Sequence, residues 1–386
     1  MTATDLPWEL ARRLPWHVLR SPAEQWAVMP SFVVGEYLFI ACAAAAWVHA
    51  WRQGPERRKH LLVWVGALLA GTANDMIFMA LPLVNNFWQA QATIMLTPRL
   101  PLYIPCVYVC FMYFPTVSVW RTNAPPLSRA ALTGLAASLF YAPYDIVGAK
   151  FLWWTWHDSD PRIANRILGA PIGSTMWVLT FTAAFAWLLG RVVDRDAAVS
   201  NATFAKGIAL VCGLSTLLMI AEMTPLQVLD GGMPGIRGLV AVVALFAWIA
   251  WRGLRRAPAG RAIVRGADRV LLVAAVAYFA TLVVVVAAFD PGSHESTSLH
   301  QTYGPCHVTA TDVTGARRYE YVCAEDFDED FGFDCTPGVP ADGAQWYTVC
   351  GRPHTSFARW LLAVSLLGVA GALLYGYLLG SRRPAT

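Results

Sequence analysis

Charge is what this chain has least of. Asp, Glu, Lys and Arg make up 14% of its 386 residues, against roughly 25% in a soluble globular domain. Histidine is also scarce, at eight residues. No HExxH pair or histidine-rich box occurs, so neither a multi-histidine metal centre nor the iron chemistry of membrane desaturases is expected. A Ser-His-Asp nucleophile motif and a glycine-rich phosphate loop are missing too. The 1–28 stretch has no clean apolar core and no small-residue cleavage site, so no cleavable signal is expected. Internal repeats and low-complexity tracts are absent. The expectation is a protein without metal or cofactor.

Apolar residues fill the space that charge leaves: 56% of the chain is hydrophobic and its mean hydropathy is +0.46. They fall in runs of about 20 residues, the length that crosses a bilayer. The fold class expected is all-α: a polytopic helical membrane protein of about nine spans. These lie near 30–51, 61–84, 100–120, 129–149, 171–190, 204–226, 235–252, 269–289 and 357–380. Four regions follow: an N-terminal segment 1–28, an eight-helix core 29–289, a polar insert 290–356, and a final span with a short tail, 357–386. In the N-terminal segment Trp8, Leu10, Leu14, Trp16 and Leu19 alternate with Arg12, Arg13 and Arg20. This reads as a helix lying on the membrane surface or as an unfolded tail.

Basic residues set an expected orientation. Of 29 Lys and Arg residues, 17 fall in the connections 52–59, 121–129, 191–206 and 252–269 and in the tail at 382–383. By the positive-inside pattern these ends face the cytoplasm, which places the N-terminus outside and the C-terminus inside. The net charge of +4 is spread over loops, so it speaks of topology and not of nucleic acid. Four cysteines, Cys306, Cys323, Cys335 and Cys350, all fall in the insert, which this topology places in an oxidising compartment. They read as two disulfides with three possible pairings, or as a metal site lacking CxxC or CxxH spacing. Cys42, Cys106, Cys110 and Cys212 read as plain core residues of the spans. The acidic run holding Glu325, Asp326, Asp328, Glu329, Asp330 and Asp334 misses the calcium-loop spacing and reads as a solvated loop. The insert itself reads as a lid or a partner surface.

Depth is the informative pattern among the few buried charges. Asp75 lies 15 residues after His60, Asp145 lies 16 after Arg129, and Glu222 lies 16 after Lys206. At ~1.5 Å per residue each carboxylate sits ~22–24 Å from one boundary, in the outer third of a ~30 Å core. Glu36 enters from the other side and reaches a similar level, about six residues or ~9 Å deep. A carboxylate in lipid costs a few kcal/mol unless it faces a polar interior, so four at one level predict a chamber open to the outside. Asn74 belongs to the same level. The rim would come from 84–101, with Asn85, Asn86, Trp88, Gln89, Gln91 and Arg99, and from 151–171. That second stretch holds His157, Asp158, Asp160 and Arg166, after Tyr144 and Lys150 and a tryptophan cluster of Trp153, Trp154 and Trp156. The cluster reads either as a lining of the chamber or as an interfacial belt.

Acid–base work is the chemistry these residues permit. A carboxyl group in an apolar pocket can keep its proton near neutral pH and pass it to an alkene. Aromatic faces then shelter the cation. Asp145 or Asp75 as the acid, with Glu222, Glu36 and His157 as further candidates, fits hydration, cyclisation or isomerisation of an isoprenoid. Asn74, Trp88, Arg99, Tyr144, Lys150, Trp153, Trp154, Trp156 and Asp158 are the candidate substrate contacts. Partners would be the bilayer and a lipid or polyene substrate, with oligomeric state open.

The stretch 70–190 resembles the polytopic carotenoid-biosynthesis proteins that include the bisanhydrobacterioruberin hydratase. The likeness rests on Tyr144-Asp145, Trp154-Thr155-Trp156 and Gly169-Ala170-Pro171, with Ser174 and Trp177 following. Upstream, Asn86-Phe87-Trp88 and Leu100-Pro101-Leu102-Tyr103-Ile104-Pro105 are also similar. The chain departs from that pattern in the cysteine-bearing insert, the final span and the polar NNFWQAQ run. The resemblance implies a carotenoid or isoprenoid hydratase or cyclase, a membrane lyase or isomerase. A transporter would want ionisable groups through both leaflets, and the inner halves of the spans look poor in them. A receptor or assembly factor would work through the insert.

Overall fold

The computed structural model describes residues 15–80, 87–157, 163–196, 198–257, 266–311, 317–324 and 331–380. Among them are nine helices long and apolar enough to cross a membrane. The chain thus has the make-up of a multi-pass membrane protein. A short helix α1 (Pro22–Val28) precedes α2 (Pro30–Trp51) and α3 (Arg57–Ala80). Then come α4 (Tyr103–Val119), α5 (Pro126–Lys150), α6 (Ile172–Val193) and α7 (Asn201–Gln227). The last are α8 (Ile236–Arg256), α9 (Gly266–Ala288) and α10 (Phe357–Leu379). Proline opens α1, α2 and α5, where its missing N–H leaves no bond unmade.

Helix α4 is the axis. Every residue from Val107 to Val119 is buried, because α2, α3 and α5 pack against it on separate sides. Helices α6, α8 and α10 lean on α5, α7 closes between α3 and α6, and α9 closes between α2 and α10. The outer faces stay apolar, with Leu217, Val240, Trp248, Val273, Leu366 and Leu373 exposed; such a surface suits lipid and not water. Near the ends of α2, α6 and α8, arginine heads lie over tryptophan rings. Arg57 is 4.5 Å from the Trp51 ring centre, Arg191 4.4 Å from Trp187, Arg252 4.9 Å from Trp248 and Arg255 4.1 Å from Trp251. Arg and Trp belong together at such a boundary.

The three long connections meet at the opposite end, and there the chain leaves the all-α pattern. β1 (Phe87–Gln89) pairs antiparallel with β2 (Trp154–Trp156), setting Trp88 opposite Thr155. β3 (Arg166–Ile167) pairs with β4 (Ala170–Pro171). In the insert, β5 (Glu295–Leu299) pairs with β9 (Trp346–Gly351), which also takes β8 (Phe331–Gly332). β6 (Thr309–Thr311) pairs with β7 (Arg317–Tyr319). Polar loop residues excluded from the bundle satisfy their backbone in these short ladders. The cysteines form Cys306–Cys323 and Cys335–Cys350, one of the three pairings the sequence allows. Cys42, Cys106, Cys110 and Cys212 are unpaired thiols of the helices.

The insert seats on the rim. The Gln91 amide donates to the Thr297 carbonyl at 3.4 Å, and the Ala90 amide to Trp153 at 3.0 Å. Lys150 Nζ donates to the Pro353 carbonyl at 3.2 Å and lies 5.4 Å from the Trp360 ring centre. His294, buried, places Nε2 2.7 Å from Ser31 Oγ on α2. The two connections expected to form an open rim are therefore paired to each other and covered.

Candidate functional site

Three glycines prepare the interior under this cover. A Cβ on Gly35 of α2 would stand 2.4 Å from the Trp153 ring, one on Gly71 of α3 2.3 Å from Tyr108, and one on Gly148 of α5 2.1 Å from Trp154. Each is a slot into which a ring from another element lies flat against backbone. With those slots filled, Trp153 and Trp154 are enclosed. They line the interior and do not sit in an exposed belt.

Around them lies a cluster of phenols and carboxyl groups. Tyr108 donates to Asp75 Oδ1 at 2.9 Å. Tyr103 donates to Gln89 Oε1 of β1 at 3.0 Å, and its hydroxyl also pairs with that of Tyr144. Tyr144 packs on Trp154 at 4.8 Å between ring centres and on Tyr141 at 5.2 Å. Tyr141 reaches the Ser174 hydroxyl and lies within electrostatic range of both Asp145 and Asp75. Trp177 closes the group, 5.9 Å from Tyr108 and stacked on Phe181. Asp145 is wholly buried. Among the described residues neither of its oxygens meets a donor at full hydrogen-bond geometry; Ser174 and, through charge, Arg166 act on it. Tyr141, Ser174 and Trp177 are half-buried, so the cluster is least covered on the α6 side.

Four carboxyl groups share a level in the sequence, but the structure gives them different work. Asp75 and Asp145 both lie within electrostatic range of Tyr141. Glu36 is within electrostatic reach of Tyr103, yet its two oxygens are taken by the Thr93 and Ile94 amides at 3.0 and 3.2 Å. It anchors the loop after β1. Glu222 stands apart, lining a crevice of about 260 Å³ with Leu127, Ala131, Ala183, Trp187 and Phe246. Of the cavities at the described residues, neither this crevice nor a recess near Arg20 is lined by Asp75 or Asp145.

The remaining candidates serve mainly as ties. Asn74 donates to Thr216 on α7 at 2.8 Å. Arg99 Nη1 donates to the Met79 carbonyl at 2.9 Å, and burial pulls its pKa below the usual range. His157 is buried beside Trp88, ring centres 6.1 Å apart, and Trp156 packs on Phe87 at 5.4 Å. Asp158, Asp160, Asn85 and Asn86 lie outside the described residues, as do Trp8, Leu10, Arg12, Arg13, Leu14 and the acidic run 325–330.

Sequence reasoning missed a second polar cluster at the other end of the bundle. His49 of α2 places Nδ1 2.7 Å from the Tyr113 hydroxyl and Nε2 2.9 Å from Asp268 Oδ1. Arg121 donates to the same Asp268 oxygen at 2.7 Å, and the ring of His60 lies 5.5 Å from that of His49. All four ionisable groups are buried. The spans are thus not poor in ionisable groups at this end; 219 residues separate His49 from Asp268, and each stood alone in the sequence beside ordinary boundary residues.

No curated protein and no solved structure matches the chain. A family model described as a domain of unknown function, DUF7802, matches residues 12–379, and the chain belongs to that family.

Proposed function

We propose that the protein is an integral membrane enzyme that adds water to, cyclises or isomerises a C=C bond of an isoprenoid or carotenoid-like lipid, with Asp145 as the acid. One observation carries this reading: a fully buried carboxyl group, in contact with no cation among the described residues, set among tyrosine and tryptophan rings. In the hydration form, Asp145 gives its proton to one alkene carbon and a cation develops on the other. The rings of Tyr141, Tyr144, Trp154 and Trp177 hold that cation by their negative faces. A water oxygen bonds to it, and the surplus proton returns to the Asp145 carboxylate, so alkene and water give an alcohol. Asp75, held by Tyr108, is the second carboxyl group available to orient the water. The resemblance to the carotenoid hydratases agrees, since Tyr144, Asp145, Trp154 and Ser174 of its motifs are cluster members.

In this reading the insert lies outside the cell and the C-terminus inside. The disulfides favour that side, and the arginine-rich connections favour the cytoplasm for the other. A transporter is the second reading, favoured by the buried His49–Asp268–Arg121 group at the opposite end. Comparing the lipids and pigments of cells with and without the gene separates the two. A polyene that accumulates without the gene, lacking one water or one ring, supports the enzyme; unchanged polyenes with an altered solute uptake support the transporter.

A further inference from the structure

A recess of about 320 Å³ lies at the outer rim, away from the tyrosine cluster. Three separate stretches build it, and backbone hydrogen bonds lock them together. The Arg20 amide donates to Thr93 at 2.9 Å, the Met95 amide to Val18 at 2.9 Å, and the Gln91 amide to Thr297 of β5 at 3.4 Å. Val28 and Met29 form the apolar part of its wall.

Its polar lining is left half-used in a defined sense. Gln25 is fully buried; its Oε1 accepts from Arg20 Nη1 at 2.8 Å. Arginine only donates, so this contact fixes the amide and leaves Nε2 as a donor without a partner among the described residues. Gln91 is buried too; its Nε2 donates to the Pro98 carbonyl at 2.8 Å. That leaves Oε1 as an acceptor without a partner among the described residues. Both side chains line the recess. Arg20 Nε donates to His17 Nε2 at 2.8 Å, so that imidazole is neutral; burial, and then the Arg20 charge, hold its pKa below the usual range. Glu24 of α1 and Glu295 of β5 supply carboxylates to the lining. Both atoms are sealed from solvent at the recess wall; buried donors and acceptors without partners are costly, and a turn of each amide into the recess would let a ligand with one anionic and one N–H-bearing cationic group satisfy both.

We propose that this recess binds a phosphoethanolamine group, with the phosphate on Arg20 and Gln25 Nε2 and the ammonium on Glu24, Glu295 and Gln91 Oε1. Exposed Val18, Leu19 and Trp26 beside it put the recess at headgroup height. The group can therefore arrive on a membrane phospholipid or as a free phosphodiester. Retained lipid is measured by native mass spectrometry after reconstituting the full chain in nanodiscs of equal phosphatidylethanolamine, phosphatidylcholine and phosphatidylglycerol. Phosphatidylethanolamine should be retained about ten-fold over the other two, and Arg20→Gln or Glu295→Gln should remove that preference, as loss of one charge-assisted bond implies. Glu295 is exposed, so its variant keeps the fold if the Arg20 change does not. Displacement of the lipid by soluble glycerophosphoethanolamine assigns the site to the free group; no displacement assigns it to the lipid. Equal retention of phosphatidylcholine, which has no N–H, or of phosphatidylglycerol overturns the proposal. So does a preference that survives in Glu295→Gln, or the absence of binding by both lipid and soluble probe.

Discussion

Acid should loosen the insert from the membrane core, and His294 sets the size of the effect. Its Nδ1 lies 2.9 Å from the Asp290 carbonyl, so that nitrogen carries the hydrogen. Nε2 must then accept from Ser31 Oγ, which in turn accepts from Trp153 Nε1 at 3.0 Å. This chain of bonds needs a neutral imidazole. Burial lowers the His294 pKa from 6.5 to about 4, against the opposing pull of Asp290. With the seated value below the free one, the released state binds more protons between pH 6.5 and 4. Seating is therefore fully present above pH 6.5 and weakens as the pH falls. Linkage gives about 2 kcal/mol between pH 7 and pH 5, or about twenty-fold in the seating equilibrium. His300, buried against Thr155 and Tyr347 and lowered to about 3 by burial, acts in the same direction. Hydrogen exchange in nanodiscs, corrected for intrinsic rates, should show the β5 amides opening at least twenty-fold more often at pH 5 than at pH 7. His294→Gln keeps a donor and an acceptor and should flatten the profile to the part owed to His300. Equal protection at the two pH values in the wild-type protein would refute the reasoning.

Other outcomes follow from the packing and the bonds. Gly148→Ala puts a Cβ 2.1 Å from Trp154 and should cost about 1–3 kcal/mol, read as a lower melting temperature in detergent; Gly213→Ala, where a Cβ meets nothing within 4 Å, is the control expected to leave it unchanged. Cys306, Cys323, Cys335 and Cys350 should resist alkylation in native membranes until reduced; four thiols labelled without reductant would contradict the pairing. Tyr108→Phe removes the one donor to Asp75 Oδ1 among the described residues and should cost about 1–3 kcal/mol of thermal stability; an unchanged melting temperature would mean that water or another group satisfies Asp75.

The spans were legible because hydrophobic runs of bilayer length are local: nine runs and the nine long apolar helices among the described residues agree, with ends moved by a few residues. The run at 204–226, for example, is the helix Asn201–Gln227. The disulfides were legible as a set, though 306–323 and 335–350 could not be chosen by spacing alone. A shared level for Asp75 and Asp145, both within electrostatic range of Tyr141, could also be read from helical depth. What depth could not give was direction. Glu36 has the right level but spends its oxygens on two amides 57 and 58 residues away, and no local pattern announces such a pairing. The glycine slots at 35, 71 and 148 were invisible for the same reason, since the rings they admit come from other elements. The short strands escaped notice because each has two to six residues, too few for alternation within a window to reveal, and β1 and β5 pair with strands more than 45 residues away.

The account's centre is a proton on Asp145. Polyene profiling of cells carrying wild-type protein, Asp145→Asn or no gene measures it most directly, with the variant's insertion and disulfides verified in the same membranes. Asp145→Asn, similar in shape but unable to deliver that proton, should give the profile of the gene-free cells. A wild-type profile from the correctly inserted variant would contradict the assignment.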